Sequence, residues 1–151
     1  MEGMLKPGAL QGKTILVTGG GTGLGRSMGK YFLELGANLV ISSRKKEVLD
    51  RTAEELMKET GGKVLAVPCD VRKYEEIEQV IAAAESTFGG LHAVLNNAAG
   101  NFICPTEYLS PNGFNAIVGI VLNGTFNATH AVGKRWIAEG AKWQAHWAFI
   151  A

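Results

Sequence analysis

The segment NNAAGNF, Asn96 to Phe102, follows an apolar run with two amides, three residues that carry almost no side chain, a third amide and an aromatic ring. Small residues allow close approach of a ligand or of other backbone. Amides suit a polar planar ligand, or a carbonyl that has to be held. A second grouping of this kind is TGGGTGLG, Thr18 to Gly25, placed between the β-branched run KTILVT and an apolar repeat at helical spacing. Where a strand end meets a helix N-terminus, free backbone N–H groups favour a phosphate or pyrophosphate. Gly19 permits the tight turn, Gly23 lets the chain approach the anion, and Gly25 lets helix and strand pack closely. The spacing is T-G-x-x-x-G-x-G instead of G-x-G-x-x-G, and no lysine with a following hydroxyl opens the helix, which argues against an ATP-type P-loop.

The next apolar run, NLVIS, ends in SSRKK, Ser42 to Lys46, with no carboxylate before Glu47. A carboxylate at this place holds the ribose 2′-hydroxyl of NAD and repels a 2′-phosphate. Arg44 instead offers paired charge-assisted bonds to that phosphate, so NADP is the expected cofactor. Lys45 and Lys46 read as a solvated basic turn. At CDV, residues 69 to 71, Asp70 has two readings: acceptor for the adenine amino group with Val71 packed on the ring, or cap of the following helix.

These residues need a scaffold that brings strand ends together. Short apolar runs at residues 13–18, 38–42, 63–69 and 92–95 alternate with helical repeats. The helical repeats carry Leu24, Met28, Tyr31, Phe32 and Leu35; then Leu49, Ala53, Leu56 and Met57; then Tyr74, Ile77, Ile81, Ala84 and Phe88. Gly36, Gly61–Gly62 and Gly89–Gly90 mark their ends. Ser110-Pro111 opens a fourth helix predicted to continue to about Glu139. Strands without internal alternation, separated by helices, predict an α/β doubly wound parallel sheet of Rossmann type, ordered 3-2-1-4, with HWAFIA as a possible fifth strand.

The chain has 151 residues, 46% hydrophobic and 19% charged, with a formal net charge of +1. That suits one dinucleotide-binding domain over residues 1–151 and argues against a nucleic-acid or membrane surface, either of which needs a basic excess. Cys69 and Cys104 lack metal-ligand spacing and fit a reducing compartment, and no metal site is expected. The first twelve residues lack the apolar stretch of a secretory signal, and no run approaches a membrane span. A cytoplasmic protein is expected, with an organelle such as the mitochondrion or peroxisome left open.

TGGGTGLG, CDV and NNAAG occur in the order and spacing of the short-chain dehydrogenase/reductase family, which the chain resembles from about Gly12 to Ala138. NAAGNFICPTEYLSP and IVLNGTF resemble the 2,4-dienoyl-CoA reductase branch, NADPH enzymes of unsaturated fatty-acid β-oxidation. The resemblance implies NADP contacts at Thr18, Gly19, Gly20, Gly21, Thr22, Gly23, Leu24 and Gly25, then at Arg44, Asp70, Val71, Asn97 and Ala98. It implies a catalytic amide at Asn101, donating to a thioester carbonyl, and an acyl-CoA site lined by Arg72, Phe102 and Ser110. Each has a plainer reading as well: Asn101 as a loop amide, Arg72 as an exposed helix-start residue, Ser110 as an N-cap, and Asn96 and Asn97 as ties between strand ends. Relatives associate through the helix that starts near Pro111, which implies a homo-oligomer.

The chain also departs from the family pattern. Val121 stands where many relatives carry an asparagine, a form shared with the dienoyl-CoA reductase branch. His92 stands where an aspartate is common, and reads as structural. The serine and tyrosine–lysine segments of the family do not occur, and AKWQAHWAFIA does not resemble the strand expected there. His146 in that tail is assigned no role. The expectation is a C-terminally incomplete sheet that binds NADP and turns over little. Two rivals stand beside it: a short-chain reductase of ketones or alcohols, and a non-catalytic NADP-binding module or fragment without function.

Overall fold

A computed structural model describes residues 5–140 and the backbone of residues 147–150. β1 (Thr14–Thr18) is buried along its whole length, as a strand covered on both faces must be. It pairs in parallel with β2 (Asn38–Ser43) on one side and β4 (Ala93–Asn96) on the other. β3 (Val64–Pro68) pairs outside β2, and β5 (Trp147–Ile150) outside β4. The order β3-β2-β1-β4-β5 is the doubly wound arrangement expected, with residues 147–150 supplying the fifth strand. His146 lies outside the described residues.

Alternate side chains of each strand point to opposite faces, and the two faces build separate cores. Ile15, Val17, Leu39 and Ile41 pack on Leu33 of α1 (Gly23–Glu34) and on Leu49, Ala53 and Leu56 of α2 (Lys46–Thr60). Leu16, Val40 and Val94 pack on α3 (Tyr74–Phe88) through Ile77, Val80, Ile81 and Ala84, and on Ala128, Ala131 and Val132. Burying each of the valine, leucine and isoleucine side chains among these stabilises the fold by about 1.5–3 kcal/mol.

Two helix faces differ from the sequence pattern. α1 does not bury Leu24, which is 69% exposed; it buries Gly25, Gly29 and Leu33. A Cβ on Gly29 would stand 2.8 Å from Leu39 Cδ2, so helix and sheet meet through absent side chains. In α2, Met57 is exposed and Thr52 is buried instead, donating its hydroxyl to the Gly21 carbonyl at 2.7 Å.

β4 starts at Ala93, so His92 precedes the strand; its Nδ1 accepts the Thr14 N–H at 3.1 Å, the structural role expected. The chain then crosses a 3₁₀ turn, Thr106–Tyr108, into the last helical segment. The single long helix expected there is divided: α4 (Pro111–Val118) passes through a π turn, Gly119–Asn123, into α5 (Gly124–Ala138). A π turn inserts one residue into the ladder and re-aims the side chains beyond it, which a hydrophobic period does not reveal. Among the described residues no helix is long and apolar enough to cross a membrane.

Candidate active site

β1 ends at a turn that only glycine fits well. Gly19 has φ 67°, in the left-handed region, and its N–H donates to Ser42 O at 2.7 Å. Gly25 lies under the turn, where a Cβ would be 2.5 Å from both Gly19 O and Asn97 Nδ2. Thr22 caps α1 in an extended conformation without a side-chain hydrogen bond, and no acidic side chain occupies the first turn. The N–H groups that begin the helix are thus left for an anion, and the positive end of the helix favours one. Gly23, at φ 53°, has no atom within 4 Å of its Cβ position, so that side of the turn is open.

The exit of β4 is bolted to this turn. Thr18 Oγ1 accepts the N–H groups of Asn97 and Ala98, both at 3.0 Å. Asn97 Nδ2 donates to Thr18 O at 3.0 Å and to Gly19 O at 3.2 Å. Asn96 turns the other way and donates to Thr129 Oγ1 at 3.0 Å on α5. Asn97 thus ties the β4 end to the β1 end, and Asn96 ties it to α5. The Cβ position of Gly19 is 3.0 Å from Ala98 Cα, so the glycine turn and the amide-rich exit form two sides of one crevice.

That crevice is a cleft of about 490 Å³. Gly19, Gly21, Thr22, Gly23, Leu24 and Gly25 line it, with Arg44, Asp70, Val71, Asn97 and Ala98. Of the cofactor contacts expected from the sequence, Thr18 and Gly20 fall outside the lining. The Thr18 side chain is buried in the hydrogen bonds just described. A Cβ on Gly20 would be 2.7 Å from Ile41 Cγ2, so this glycine serves packing on β2. Ser42, Ser43, Val48, Cys69 and Ile120 also line the cleft and were not expected. The serines and Cys69 flank expected residues at strand ends, which is a usable signal; Ile120 comes from the π turn, remote in sequence from the other lining residues.

Arg44 is exposed, lines the cleft and forms no hydrogen bond or ion pair among the described residues. Asp70, which also lines the cleft, does not cap α3. Lys73 takes the cap position, and both Asp70 oxygens are engaged by Arg72: Nε at 2.9 Å and N at 3.1 Å to Oδ1, Nη2 at 2.5 Å to Oδ2. The Arg72 hydrogen bonds hold the Asp70 carboxyl below its usual range, with the Arg44 charge adding to the effect. Arg72 is thus tied to the cofactor cleft, beside Gly119, whose Cβ position is 3.7 Å from Arg72 Cδ. Burial pushes the Cys69 thiol up to about 12, with the Glu76 and Asp70 charges contributing, so it stays protonated.

A shallow apolar basin of about 480 Å³ opens further along the exit loop, lined by Phe102, Ile103, Tyr108, Leu109 and Ser110. Ser110 Oγ accepts the Gly113 N–H at 3.1 Å, confirming its N-cap role. Gly100 and Asn101 join the cleft-lining Ala99 to the basin-lining Phe102. Gly100 has Ile120 Cδ1 2.7 Å from its Cβ position, which seats the loop on the π turn. Asn101 is exposed, and its Oδ1 accepts the Phe102 N–H at 2.8 Å. Fixing the oxygen inward leaves the amide NH₂ as the free donor.

A parallel sheet wound on both faces, with an anion-ready glycine turn at its switch point, defines a dinucleotide-binding oxidoreductase fold. The chain belongs to the short-chain dehydrogenase family, whose model matches residues 13–142. It is 46% identical over 135 residues to a probable 2,4-dienoyl-CoA reductase of Caenorhabditis elegans, a match covering 89% of this chain and 44% of that protein. It is 41% identical over 130 residues to a probable 2,4-dienoyl-CoA reductase of Bacillus subtilis, covering 86% and 51%. A solved short chain dehydrogenase from Bacillus anthracis superposes with a TM-score of 0.78 at 44% identity, covering 87% of this chain and 54% of that one. A gluconate 5-dehydrogenase from Burkholderia cenocepacia, solved with NADP and tartrate, gives a TM-score of 0.78 at 29% identity, covering 87% and 51%. The chain spans about half the length of the curated relatives it matches.

Proposed function

We propose that the whole protein reduces 2,4-dienoyl-CoA thioesters with NADPH and that this chain supplies its dinucleotide site and one catalytic amide. The observation that carries the reading is the contact of Gly19 with Ala98, which opens the phosphate turn and the Asn101 loop onto one crevice. The cofactor fits the residues present: unclaimed N–H groups at the start of α1, a cleft of about 490 Å³, and an unpartnered guanidinium where a 2′-phosphate would lie. Val71 would offer the adenine an apolar wall, and the Asp70 carboxylate, charged and held by Arg72, would accept from its amino group.

When bound, NADPH supplies a hydride to the far end of the conjugated diene. Negative charge then gathers on the thioester oxygen, and the Asn101 amide donates to it. A fixed donor at such an oxygen is worth about 3 kcal/mol. Conjugation carries the charge to that oxygen, so no strong base is needed, and the resulting dienolate would be completed to the enoyl product by taking up a proton from solvent water. Phe102 and the apolar basin, with Ser110 on its lining, hold the acyl or pantetheine part, whereas Arg72, expected there from the sequence, is engaged by Asp70 at the cofactor cleft and does not line the basin. Phe114, Leu122, Phe126 and Ile137, spread over α4, the π turn and α5, are exposed, and a second copy of the chain in a homo-oligomer would cover such apolar surface.

Binding of NADPH and NADH to this chain, measured calorimetrically for parent and Arg44→Ala, tests the cofactor. The variant should lose about 1.5 kcal/mol toward NADPH, the low end for a bond to a charged group because Arg44 is exposed, and nothing toward NADH. Equal NADPH affinity in both proteins refutes the role of Arg44. For the whole protein, NADPH oxidation should respond to a 2,4-dienoyl-CoA and not to simple ketones. Asn101→Ala should cut turnover about 100-fold or more at unchanged NADPH affinity.

A further inference from the structure

We propose that Glu76 and Asn127 are positioning residues for the adenosine half of the cofactor, clamping the Asp70–Val71 dipeptide from two helices. The inference rests on the NADP reading of the cleft and adds two residues that do not line it.

β3 ends at Pro68, so the chain that forms the adenine wall has left the sheet before it reaches the cleft. The last tie to β2 is Cys69 N–H to Ser43 O at 2.9 Å. Backbone groups beyond a strand end need other partners, and without them the segment would move freely. Two side chains supply those partners. Glu76, in the first turn of α3, accepts the Asp70 N–H on Oε2 at 2.7 Å. Asn127, on α5, donates Nδ2 to the Val71 carbonyl at 3.1 Å. The dipeptide is thus gripped at its leading N–H and its trailing C=O by elements 51 positions apart in the chain (127 against 76).

Both holders are themselves fixed. Lys73 Nζ bonds Glu76 Oε1 at 2.8 Å, and this bond with the Asp70 N–H holds the Glu76 carboxyl below its usual range. An acidic side chain is also favoured at a helix N-terminus. Asn127 follows Gly124 by about one turn, and a Cβ on Gly124 would be 2.5 Å from Val71 Cγ2. The helix therefore descends onto the Val71 side chain while Asn127 holds the Val71 carbonyl. Asp70 and Val71 are the two cleft residues expected at the adenine, so the clamp fixes acceptor and apolar wall together.

The test compares Glu76→Ala, Glu76→Gln and Asn127→Ala with the parent chain. Affinities for NADPH and for 2′,5′-ADP are measured by calorimetry at a temperature where circular dichroism shows each protein fully folded. Each alanine variant should bind both ligands about fivefold more weakly, the worth of one hydrogen bond. Glu76→Gln keeps an acceptor for the Asp70 N–H and should stay within about twofold of the parent. Hydrogen exchange at the Asp70 amide should accelerate in Glu76→Ala and not in Glu76→Gln. A purely structural role would lower the unfolding midpoint and leave the affinity of the folded protein unchanged; that result overturns the clamp. If the parent itself binds neither ligand, the NADP reading fails; if the parent binds and the alanine variants bind equally well, only the clamp fails.

Discussion

Replacing Gly25 by alanine tests whether the glycine turn is held by close approach or merely by flexibility. The added carbon would sit 2.5 Å from the Gly19 carbonyl oxygen and 2.5 Å from Asn97 Nδ2. Carbon–oxygen contacts seldom fall below about 3.3 Å, so something must move by close to 1 Å. If α1 lifts off the turn, the cost is that of overpacking, about 1–3 kcal/mol. If Asn97 swings aside, it gives up its bonds to Thr18 O and Gly19 O, at about 1 kcal/mol each. Both routes converge on about 2 kcal/mol of lost stability. Both also displace the anion-facing N–H groups, so NADPH affinity should fall with stability. Gly23→Ala is the internal control: its Cβ meets nothing, and the cost is the left-handed backbone alone, about 1 kcal/mol. Urea unfolding followed by circular dichroism should rank parent above Gly23→Ala above Gly25→Ala. A Gly25→Ala protein with the parent's unfolding midpoint and NADPH affinity would refute the close-packing account of the turn.

Gly133 lies inside α5 with nothing within 4 Å of its Cβ position, so Gly133→Ala should raise stability by about 1 kcal/mol in urea unfolding; a lower midpoint would contradict the free space seen there. Of the two thiols, exposed Cys104 should react with iodoacetamide at pH 8, while buried Cys69, raised to about 12, should react only after unfolding. Peptide mass spectrometry showing equal labelling in the native protein would rule this out. The Asp70 carboxyl titrates below its ordinary value of 3.8 in the folded chain because Arg72 bonds the ionised form. Its stabilising contribution is therefore complete above that ordinary value and is lost as pH falls through the lower folded one. The stability gap between parent and Asp70→Asn should narrow below pH 3.8 and stay constant above neutral pH; a gap independent of pH down to strong acid would exclude the ion pair.

Much of the architecture was legible in the chain. Four apolar runs without alternation and three glycine-terminated helical repeats are local properties, and they produced the parallel order β3-β2-β1-β4 with helices on both faces. The glycine turn, the place of Arg44 on the cleft wall and the Ser110 cap were readable for the same reason: backbone freedom at Gly19, the residues at the β2 end and the Ser-Pro cap are each decided within a few residues. Apolar periodicity misled where contact is made by an absence of side chain, as on the Gly25–Gly29 stripe of α1, or by a buried polar group, as at Thr52. It also missed the π turn, because one inserted residue scarcely alters a hydrophobic pattern and the contact the turn makes, Ile120 on Gly100, lies far along the chain from it.

The sequence by itself determined which elements form and which residue types wait at their ends, because propensity, capping and turn chemistry act over short stretches of chain. Only the tertiary structure decided that Arg72 is spent on Asp70, that Thr18 and Gly20 stand behind the cleft, and that Gly19 meets Ala98 across 79 positions of sequence (98 against 19). Those outcomes depend on strand register and on how the helices settle on the sheet, and no local stretch of residues specifies either.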